Sequence, residues 1–242
     1  MNSDNHWNTL STLFDTTSDE SNISSLVADN IFIAWPEMLQ FINAYGPLEK
    51  NVRLLEFGCG SGSFAYKLSK LGYTVTGVDY AEEMIKIAKT AYDTHIDFLS
   101  GDSSILSRLS PFSIVTSVMT FQFIENIDSC FNDIANVLEK DGIFVFAVHN
   151  PAMVQTYLKA RILFEDFDSI EKPSKGILNL RGNRIPIFIR TAEEYNQLLQ
   201  AKGFEPLLEV YPPFTEEFLT KYPMDAPTHQ PEFLILGYKK TQ

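Results

Sequence analysis

A cluster of glycines preceded by an acid is the part of this sequence best suited to chemistry. Glu56, Gly58, Gly60 and Gly62 form the pattern E-x-G-x-G-x-G at the end of the apolar run 52–57. Backbone without side chains lets a ligand approach closely and tolerates unusual dihedral angles. The dinucleotide fingerprint G-x-G-x-x-G fails because position 63 is serine, and the Lys-Ser or Lys-Thr pair of a P-loop is missing. An acid at such a turn suits a ligand with a cationic amino group better than an anionic pyrophosphate.

Two further acids follow later apolar runs. Asp79 comes about twenty residues after the turn, where a carboxylate can accept hydrogen bonds from both hydroxyls of a ribose. Such charge-assisted bonds contribute about 1.5–3 kcal/mol each. Asp102, in Gly101-Asp102-Ser103, could accept a hydrogen bond from an adenine amino group. Together these groups predict a nucleoside site.

A βαβ unit must position these groups. Residues 52–57 predict a strand, 63–71 a helix and 74–78 a second strand, which fits the roughly thirty residues that such a unit needs. Runs at 96–99, 112–118 and 143–148 predict three more strands, with helices over 81–90 and 128–138. Strands that alternate with helices indicate a doubly wound sheet, which binds ligands at the carboxyl ends of its strands.

The flanking segments complete the predicted fold. A helix over 30–45 has Asn30 as its cap and ends at Gly46-Pro47; a helix over 154–164 is followed by an irregular or β-rich segment, 165–190. Thr191 caps a helix over 192–202, and 204–211 and 233–238 predict closing strands. We expect an α/β, Rossmann-like, doubly wound and mostly parallel seven-stranded sheet in one domain, 1–242. Its parts are an N-terminal helical cover (1–47), a core (48–150), an insertion after strand five that covers the substrate (151–190) and the C-terminal part of the sheet (191–242).

The composition restricts the classes of partner expected for this chain. A net charge of −12, with 19 Lys and Arg against 31 Asp and Glu, argues against a nucleic-acid substrate. The two cysteines make neither a disulfide framework nor a metal-binding pattern, and we expect no metal. The acidic, polar start lacks the features of a secretory signal, and no apolar run reaches the length of a membrane span. We therefore expect a cytoplasmic protein that does not contact membranes, while its oligomeric state stays open.

Several stretches together resemble a known family. LLEFGCGSGSFAYKLSKLGYTVTGVDYAEEMIKIAK and FLSGDSS look like motifs I to III of the class I methyltransferases that use S-adenosylmethionine. FSIVTSVMTFQFIEN is similar to their motif IV, although Ser113 stands where that motif usually has an acid. The match covers about residues 50–150, and the C-terminal part resembles the small-molecule branch more loosely. The implied cofactor is S-adenosyl-L-methionine, and the implied product is S-adenosyl-L-homocysteine.

The resemblance implies roles for named residues. Glu56 would organise the turn and the amino end of the cofactor, and Asp79 would hold the ribose. The other implied contacts are Gly58, Cys59 and Gly60 to the methionine half, Tyr80 and Met84 beside the adenine, Asp102 and Ser103 at its edge, and Val118 and Met119 near the sulfonium. A purely structural role remains an alternative for four of these residues. Glu56 could accept hydrogen bonds from loop N–H groups without contacting the cofactor, Cys59 could be a small packing residue, and Tyr80 and Met84 could pack in the core.

Two residues are candidates for a catalytic role. Methyl transfer is an in-line displacement that depends on holding the reacting atoms about 3–3.5 Å apart. A general base is needed only when the acceptor must lose a proton. His149 ends the fifth predicted strand and has an ordinary pKa near neutrality, although it could simply orient the turn into Asn150-Pro151. Gln122, where family members often place a histidine, could orient substrate or be merely solvated.

Three functions fit these patterns. The first is an S-adenosylmethionine-dependent methyltransferase that acts on an O or N atom of a small-molecule acceptor. The second is an enzyme that uses the cofactor without methyl transfer, by intramolecular cyclisation to methylthioadenosine plus a cyclic amino acid, or by decarboxylation. The third is a cofactor-binding regulatory protein without turnover. No motif identifies the acceptor. We expect its binding pocket to be built by residues 1–45, 150–190 and 212–231.

Overall fold

A seven-stranded sheet organises the chain. The computed structural model describes residues 4–11, 23, 27–49, 52–92 and 95–242. The seven strands are β1 (Arg53–Phe57), β2 (Thr74–Asp79), β3 (Asp97–Ser100), β4 (Phe112–Val118), β5 (Leu138–His149), β9 (Phe204–Val210) and β10 (Phe233–Lys240). They lie in the order β3-β2-β1-β4-β5-β10-β9, and only β10 runs antiparallel to its neighbours. The predicted mostly parallel, doubly wound sheet is confirmed.

Eight α-helices flank the strands within the described part of the chain. They are α1 (Asp4–Leu10), α2 (Trp35–Tyr45), α3 (Ser63–Lys70), α4 (Glu82–Ala91), α5 (Ile127–Val137), α6 (Pro151–Ala160), α7 (Ala192–Gln200) and α8 (Glu216–Lys221). A π-helical turn, Asn30–Ala34, leads into α2, and 3₁₀ turns cover Ser103–Arg108 and Phe121–Phe123. Among these described helices, none is both long and apolar enough to cross a membrane.

The side chains of successive residues in the central strands pack into two separate cores, one on each face of the sheet. In β1, Leu54 packs into one core and Leu55 into the other, because successive side chains of a strand point to opposite faces. Ile143 and Phe144 divide in the same way in β5. Helices α2, α3 and α4 cover the first face, and α5 and α7 cover the second. Both faces of the sheet are therefore dry, which explains the unbroken apolar run at 143–148.

Capping explains where several helices begin. Thr191 and Glu194 form a reciprocal capping box at the start of α7, as the sequence predicts for Thr191. Asn150 caps α6 and Pro151 follows it, so this helix starts three residues before the predicted 154. The cap expected at Asn30 is wrong by one residue, since the Asp29 side chain accepts the hydrogen bond from the Asn30 N–H.

Two segments lie beyond the main sheet. The predicted β-rich insertion is a three-stranded antiparallel sheet of β6 (Phe164–Glu165), β7 (Lys175–Leu180) and β8 (Asn183–Phe188). Its apolar face packs against Met153, Val154 and Tyr157 of α6. Helix α8 lies in the Pro-rich segment between β9 and β10, for which the sequence analysis predicts no helix; Thr215 caps it and Phe218 is buried in the first core.

The dry core predicts a strong asymmetry between two chemically identical substitutions. Leu54 is 0% exposed and Leu48 is 96% exposed. We expect Leu54→Ala to lower the free energy of unfolding by about 2–5 kcal/mol, because it leaves a cavity, and Leu48→Ala to change it by about 0.5 kcal/mol or less. Urea unfolding measures both, and equal midpoints for the two variants would contradict this packing.

Candidate functional site

The predicted site residues follow neighbouring strand ends. The glycine turn follows β1, Asp79 ends β2 and Asp102 follows β3. Val118 ends β4 and His149 ends β5. These five strands are parallel, so all of these residues lie at one side of the sheet, which we name the carboxyl edge. Because β10 is antiparallel and Phe233 pairs with His149, the amino end of β10 reaches the same edge.

The turn after β1 is held against β2 but leaves one glycine open. The N–H groups of Gly58 and Cys59 both donate to the carbonyl of Val78, at 2.7 and 3.0 Å. Gly58 has φ 76°, and a Cβ there would collide with the side chain of Thr120. Gly60 has φ 52°, yet a Cβ there would meet only open space. The backbone at Gly60 is therefore accessible to a ligand.

Asp79 fastens this turn. Its Oδ2 accepts a hydrogen bond from the Gly60 N–H and its Oδ1 accepts one from the Ala81 N–H, both at 2.8 Å. Burial raises the pKa of Asp79, and these two N–H donors partly oppose that shift. A carboxylate oxygen has further lone-pair sites, so these contacts leave room for the hydroxyl donors of a ribose. The sequence suggested the ribose role but gave no sign that Asp79 also shapes the turn.

Glu56 is a buried acid that lacks a hydrogen-bond donor at one of its oxygens within the described chain. It is 2% exposed, and its Oε2 has no hydrogen-bond partner among the described residues. Burial raises the pKa of Glu56 well above its ordinary value; a hydrogen bond from the Ala65 backbone opposes this shift and the nearby Asp79 adds to it. A positively charged donor placed here would stabilise the carboxylate. The turn and Glu56 thus fit a ligand that brings an amino group.

Cys59 has the properties of a packing residue. It is buried, and desolvation raises the pKa of its thiol well above the ordinary value, with Asp79 and Glu56 adding to the shift. A nucleophilic cysteine needs thiolate character, which this environment opposes. Cys59 can line the turn as the sequence implies, with no chemistry of its own.

The residues after β3 are partly engaged within the protein. Asp102 caps the following 3₁₀ turn and accepts hydrogen bonds from the N–H and hydroxyl of Ser104, which lower its pKa. Both of these bonds end on Oδ1. The Ser103 hydroxyl donates to Asp133 on α5 at 2.6 Å, so this hydroxyl is already committed as a donor. Next to this segment, Tyr80 is 44% exposed and accessible to a ligand, whereas Met84 is buried in α4.

The end of β4 carries an unusual backbone. Met119 has φ 53°, in the left-handed region that non-glycine residues seldom adopt, and its N–H donates to the carbonyl of Ala147. Gln122 is 1% exposed, and its Nε2 donates to the Met119 sulfur at 3.7 Å. Its Oε1 has no partner within the described ranges. Gln122 is thus buried rather than solvated, with an acceptor still to be satisfied.

The pKa of His149 differs from the value expected for a general base. Burial lowers its pKa from 6.5 to about 4, because the charged imidazolium loses its hydration. The reason given for a base, a pKa near neutrality, is therefore wrong for this environment. Nδ1 has no partner in the part of the chain that the structure describes, and the ring meets the edge of Phe164 with centroids 5.6 Å apart. His149 is neutral at physiological pH and lies beside the carboxyl edge.

Three residues that the sequence did not single out lie near His149. Asp29 and Glu232 share a hydrogen bond, and Tyr157 on α6 senses the charge of both. No spacing could reveal the acidic pair, since its members lie near opposite ends of the chain and meet only after folding. Two arginines of the segment between α6 and α7 are engaged within the protein: Arg184 pairs with Glu165 and Asp166, and Arg190 donates to backbone carbonyls at 121, 124 and 125.

Comparison with known proteins agrees with this geometry. The family model described as "Methyltransferase domain" matches residues 32–209. A malonyl-[acyl-carrier protein] O-methyltransferase of Bacillus cereus is 34% identical over 100 residues, which are 40% of this chain and 37% of that protein. A ubiquinone biosynthesis O-methyltransferase of Pelagibacter ubique is 26% identical over 152 residues, 57% of this chain and 63% of that protein. The chain thus spans less than two thirds of the length of these curated relatives.

Solved structures share the fold over nearly the whole chain. An S-adenosylmethionine-dependent methyltransferase from Mesorhizobium loti has a TM-score of 0.64 at 21% identity, covering 88% of this chain and 97% of that one. The magnesium protoporphyrin IX methyltransferase of Synechocystis PCC 6803, solved with S-adenosylhomocysteine, has a TM-score of 0.65 at 16% identity, covering 98% and 97%. With the family match over most of its length, the chain belongs to the class I S-adenosylmethionine-dependent methyltransferases.

Proposed function

We propose that this chain transfers the methyl group of S-adenosylmethionine to an O or N atom of a small-molecule acceptor. The observation that carries the proposal is the carboxyl edge, where an open glycine turn and three acids gather beside buried polar groups at β4 and β5. Two curated relatives carry the name O-methyltransferase, which favours oxygen as the receiving atom. The insertion and α8 supply the cover for a small acceptor.

The cofactor-binding residues keep the roles that the resemblance implies, with adjustments. Glu56 fits the amino group, because it is a buried acid whose Oε2 needs a donor. The Gly60 backbone fits a close approach, and Asp79 the ribose. The other residues proposed to line the cofactor are Gly58, Cys59, Tyr80, Met84, Asp102, Ser103, Val118 and Met119, with Ser103 acting through its backbone because its hydroxyl bonds to Asp133.

Catalysis in this proposal rests on positioning. The bound cofactor supplies an activated methyl group, and the protein must hold an acceptor in line with it. A base works best with a pKa near the operating pH, and His149, with a pKa of about 4, falls well short of that. We assign His149 and Gln122 to orienting the acceptor, through the unpartnered Nδ1 and Oε1 atoms. An acceptor that reacts without prior loss of a proton suits this arrangement.

Asp79 gives the first test. We expect Asp79→Asn to weaken the binding of S-adenosylhomocysteine about tenfold to a hundredfold, because a charge-assisted contact is lost and an amide nitrogen cannot accept from the Gly60 N–H. Isothermal titration calorimetry measures the affinity. Asp97→Asn is the matched control, since Asp97 is exposed at the opposite end of β3, and it should bind normally. Equal affinity in Asp79→Asn would contradict the site.

His149 gives a pH-dependent test. Its pKa is about 4 in the folded protein against 6.5 without burial, so the unfolded chain binds more protons between these values. The stabilisation is present above pH 6.5 and is lost as the pH falls towards 4, by about 3 kcal/mol in total. We expect the unfolding free energy of the wild type, relative to His149→Gln, to fall by that amount over this range. Urea unfolding at several pH values measures it, and a constant difference would contradict the burial of a neutral imidazole.

A further inference from the structure

Buried polar atoms without partners gather around the end of β5. Within the described chain these are His149 Nδ1, Tyr157 Oη and Glu232 Oε2. Native proteins satisfy the large majority of their buried polar atoms, so a group of unsatisfied ones needs an explanation. His149 and Tyr157 are 9% and 2% exposed, which leaves their polar atoms little access to bulk water.

The fold brings these groups together from four segments. His149 pairs with Phe233, and the preceding Glu232 accepts a hydrogen bond at its carbonyl from the Asn150 N–H at 2.8 Å. Tyr157 lies on α6, and the ring of Phe164 contacts both Tyr157 and His149, with centroids 6.3 and 5.6 Å away. Asp29 reaches Glu232 from the turn that precedes α2. The site therefore has an acidic end and an aromatic wall.

Asp29 and Glu232 behave as one acidic pair. Burial raises the pKa of Glu232 well above its ordinary value and the charge of Asp29 raises it further, whereas burial raises the pKa of Asp29 to about 6. The two carboxyl groups therefore share one proton in the hydrogen bond that joins them. Burial raises the pKa of Tyr157, and the charges of Glu232 and Asp29 add to that shift, so its hydroxyl faces the pair. At neutral pH the pair carries a single negative charge.

The unsatisfied atoms ask for donors. Glu232 Oε2 accepts hydrogen bonds, and Tyr157 Oη can accept as well as donate. Among the described residues, no lysine or arginine shifts the pKa of Asp29 or Glu232. A ligand that matches one negative charge and several acceptor atoms is a cation with more than one N–H, which describes a protonated amine.

The acidic pair lies apart from the position proposed for the amino group of the cofactor. The turn at β1, with Glu56, serves that end of the cofactor in the proposed function. Strand β5 lies two positions away from β1 in the sheet and β10 lies three, at about 4.8 Å for each step. The acidic pair is therefore placed on the acceptor side of β4.

We propose that Asp29 and Glu232, with Tyr157, bind a protonated amino group of the methyl acceptor, while Phe164 contacts its apolar part and His149 orients it through Nδ1. This inference rests on the proposed function, since it names the chemical class of molecule that the same site receives. The amino group is the feature recognised, and the atom that takes the methyl group can be a different one.

Matched small probes test the inference. We would titrate 2-phenylethylamine and its neutral analogue 2-phenylethanol into the protein saturated with S-adenosylhomocysteine, using calorimetry. The aromatic ring suits the wall formed by Phe164 and Tyr157. We expect the amine to bind about tenfold to a hundredfold more tightly than the alcohol, because only the amine makes charge-assisted hydrogen bonds to the pair.

Isosteric variants test whether the acidic pair and Tyr157 cause the preference for the amine. The double variant Asp29→Asn/Glu232→Gln should lose it, and Tyr157→Phe should reduce it. The control Asp97→Asn/Glu205→Gln removes one aspartate and one glutamate from exposed positions at the amino ends of β3 and β9, away from the carboxyl edge, and it should keep the preference. The control separates local recognition from the general attraction of a protein with net charge −12 for cations. Unchanged affinity for S-adenosylhomocysteine shows that each variant is folded.

Each outcome is decisive. A wild type that binds both probes equally, or does not bind the amine, overturns the inference without any variant. Persistence of the preference in the double variant overturns it as well. Wild-type protein that fails to bind S-adenosylhomocysteine overturns the proposed function instead, whereas normal binding of S-adenosylhomocysteine without amine preference removes only the acceptor class.

Discussion

The contact between Asp79 and the Gly60 N–H is the constraint on which the site depends. It joins the turn after β1 to the end of β2, and the carbonyl of Val78 adds two more hydrogen bonds to the same turn. Without these bonds the glycine turn could adopt many conformations, because glycine restricts its backbone so little. Fixed in this way, the turn exposes its backbone at Gly60, and the buried Glu56 comes two residues before its first glycine. One carboxylate thus both shapes the turn and faces the position proposed for the ribose.

A second feature of the molecule is that buried carboxylate oxygens without partners, among the described residues, lie at two centres along the carboxyl edge. Glu56 marks the first, beside the glycine turn, and the acidic pair of Asp29 and Glu232 marks the second, beside β5 and β10. Burial raises the pKa of all three acids, so each would gain from a cationic donor. Two amino groups, one from each of two ligands, would meet these demands. The sheet order separates the two centres by β4, where Val118 and Met119 lie.

The sequence predicts those parts of the fold that depend on local patterns. The run at 143–148 becomes a central strand because all six residues are buried between two helical layers, and Thr191 with Glu194 is a local cap that needs no tertiary context. The glycine turn and Asp79 could be placed for similar reasons. The lowered pKa of His149 was out of reach, because it arises from burial that only the packed structure provides. The pairing of Asp29 with Glu232 and the engagement of Ser103 by Asp133 depend on contacts between distant segments, which no spacing encodes.

The fate of a labelled methyl group tests the central claim most directly. The protein would be incubated with methyl-labelled S-adenosylmethionine and a metabolite extract, and the products would be separated by mass and identified by mass spectrometry. Our account predicts label in a small molecule that carries an amino group, together with S-adenosylhomocysteine. Formation of methylthioadenosine in place of S-adenosylhomocysteine, label only in macromolecules, or label that never leaves the cofactor would contradict it.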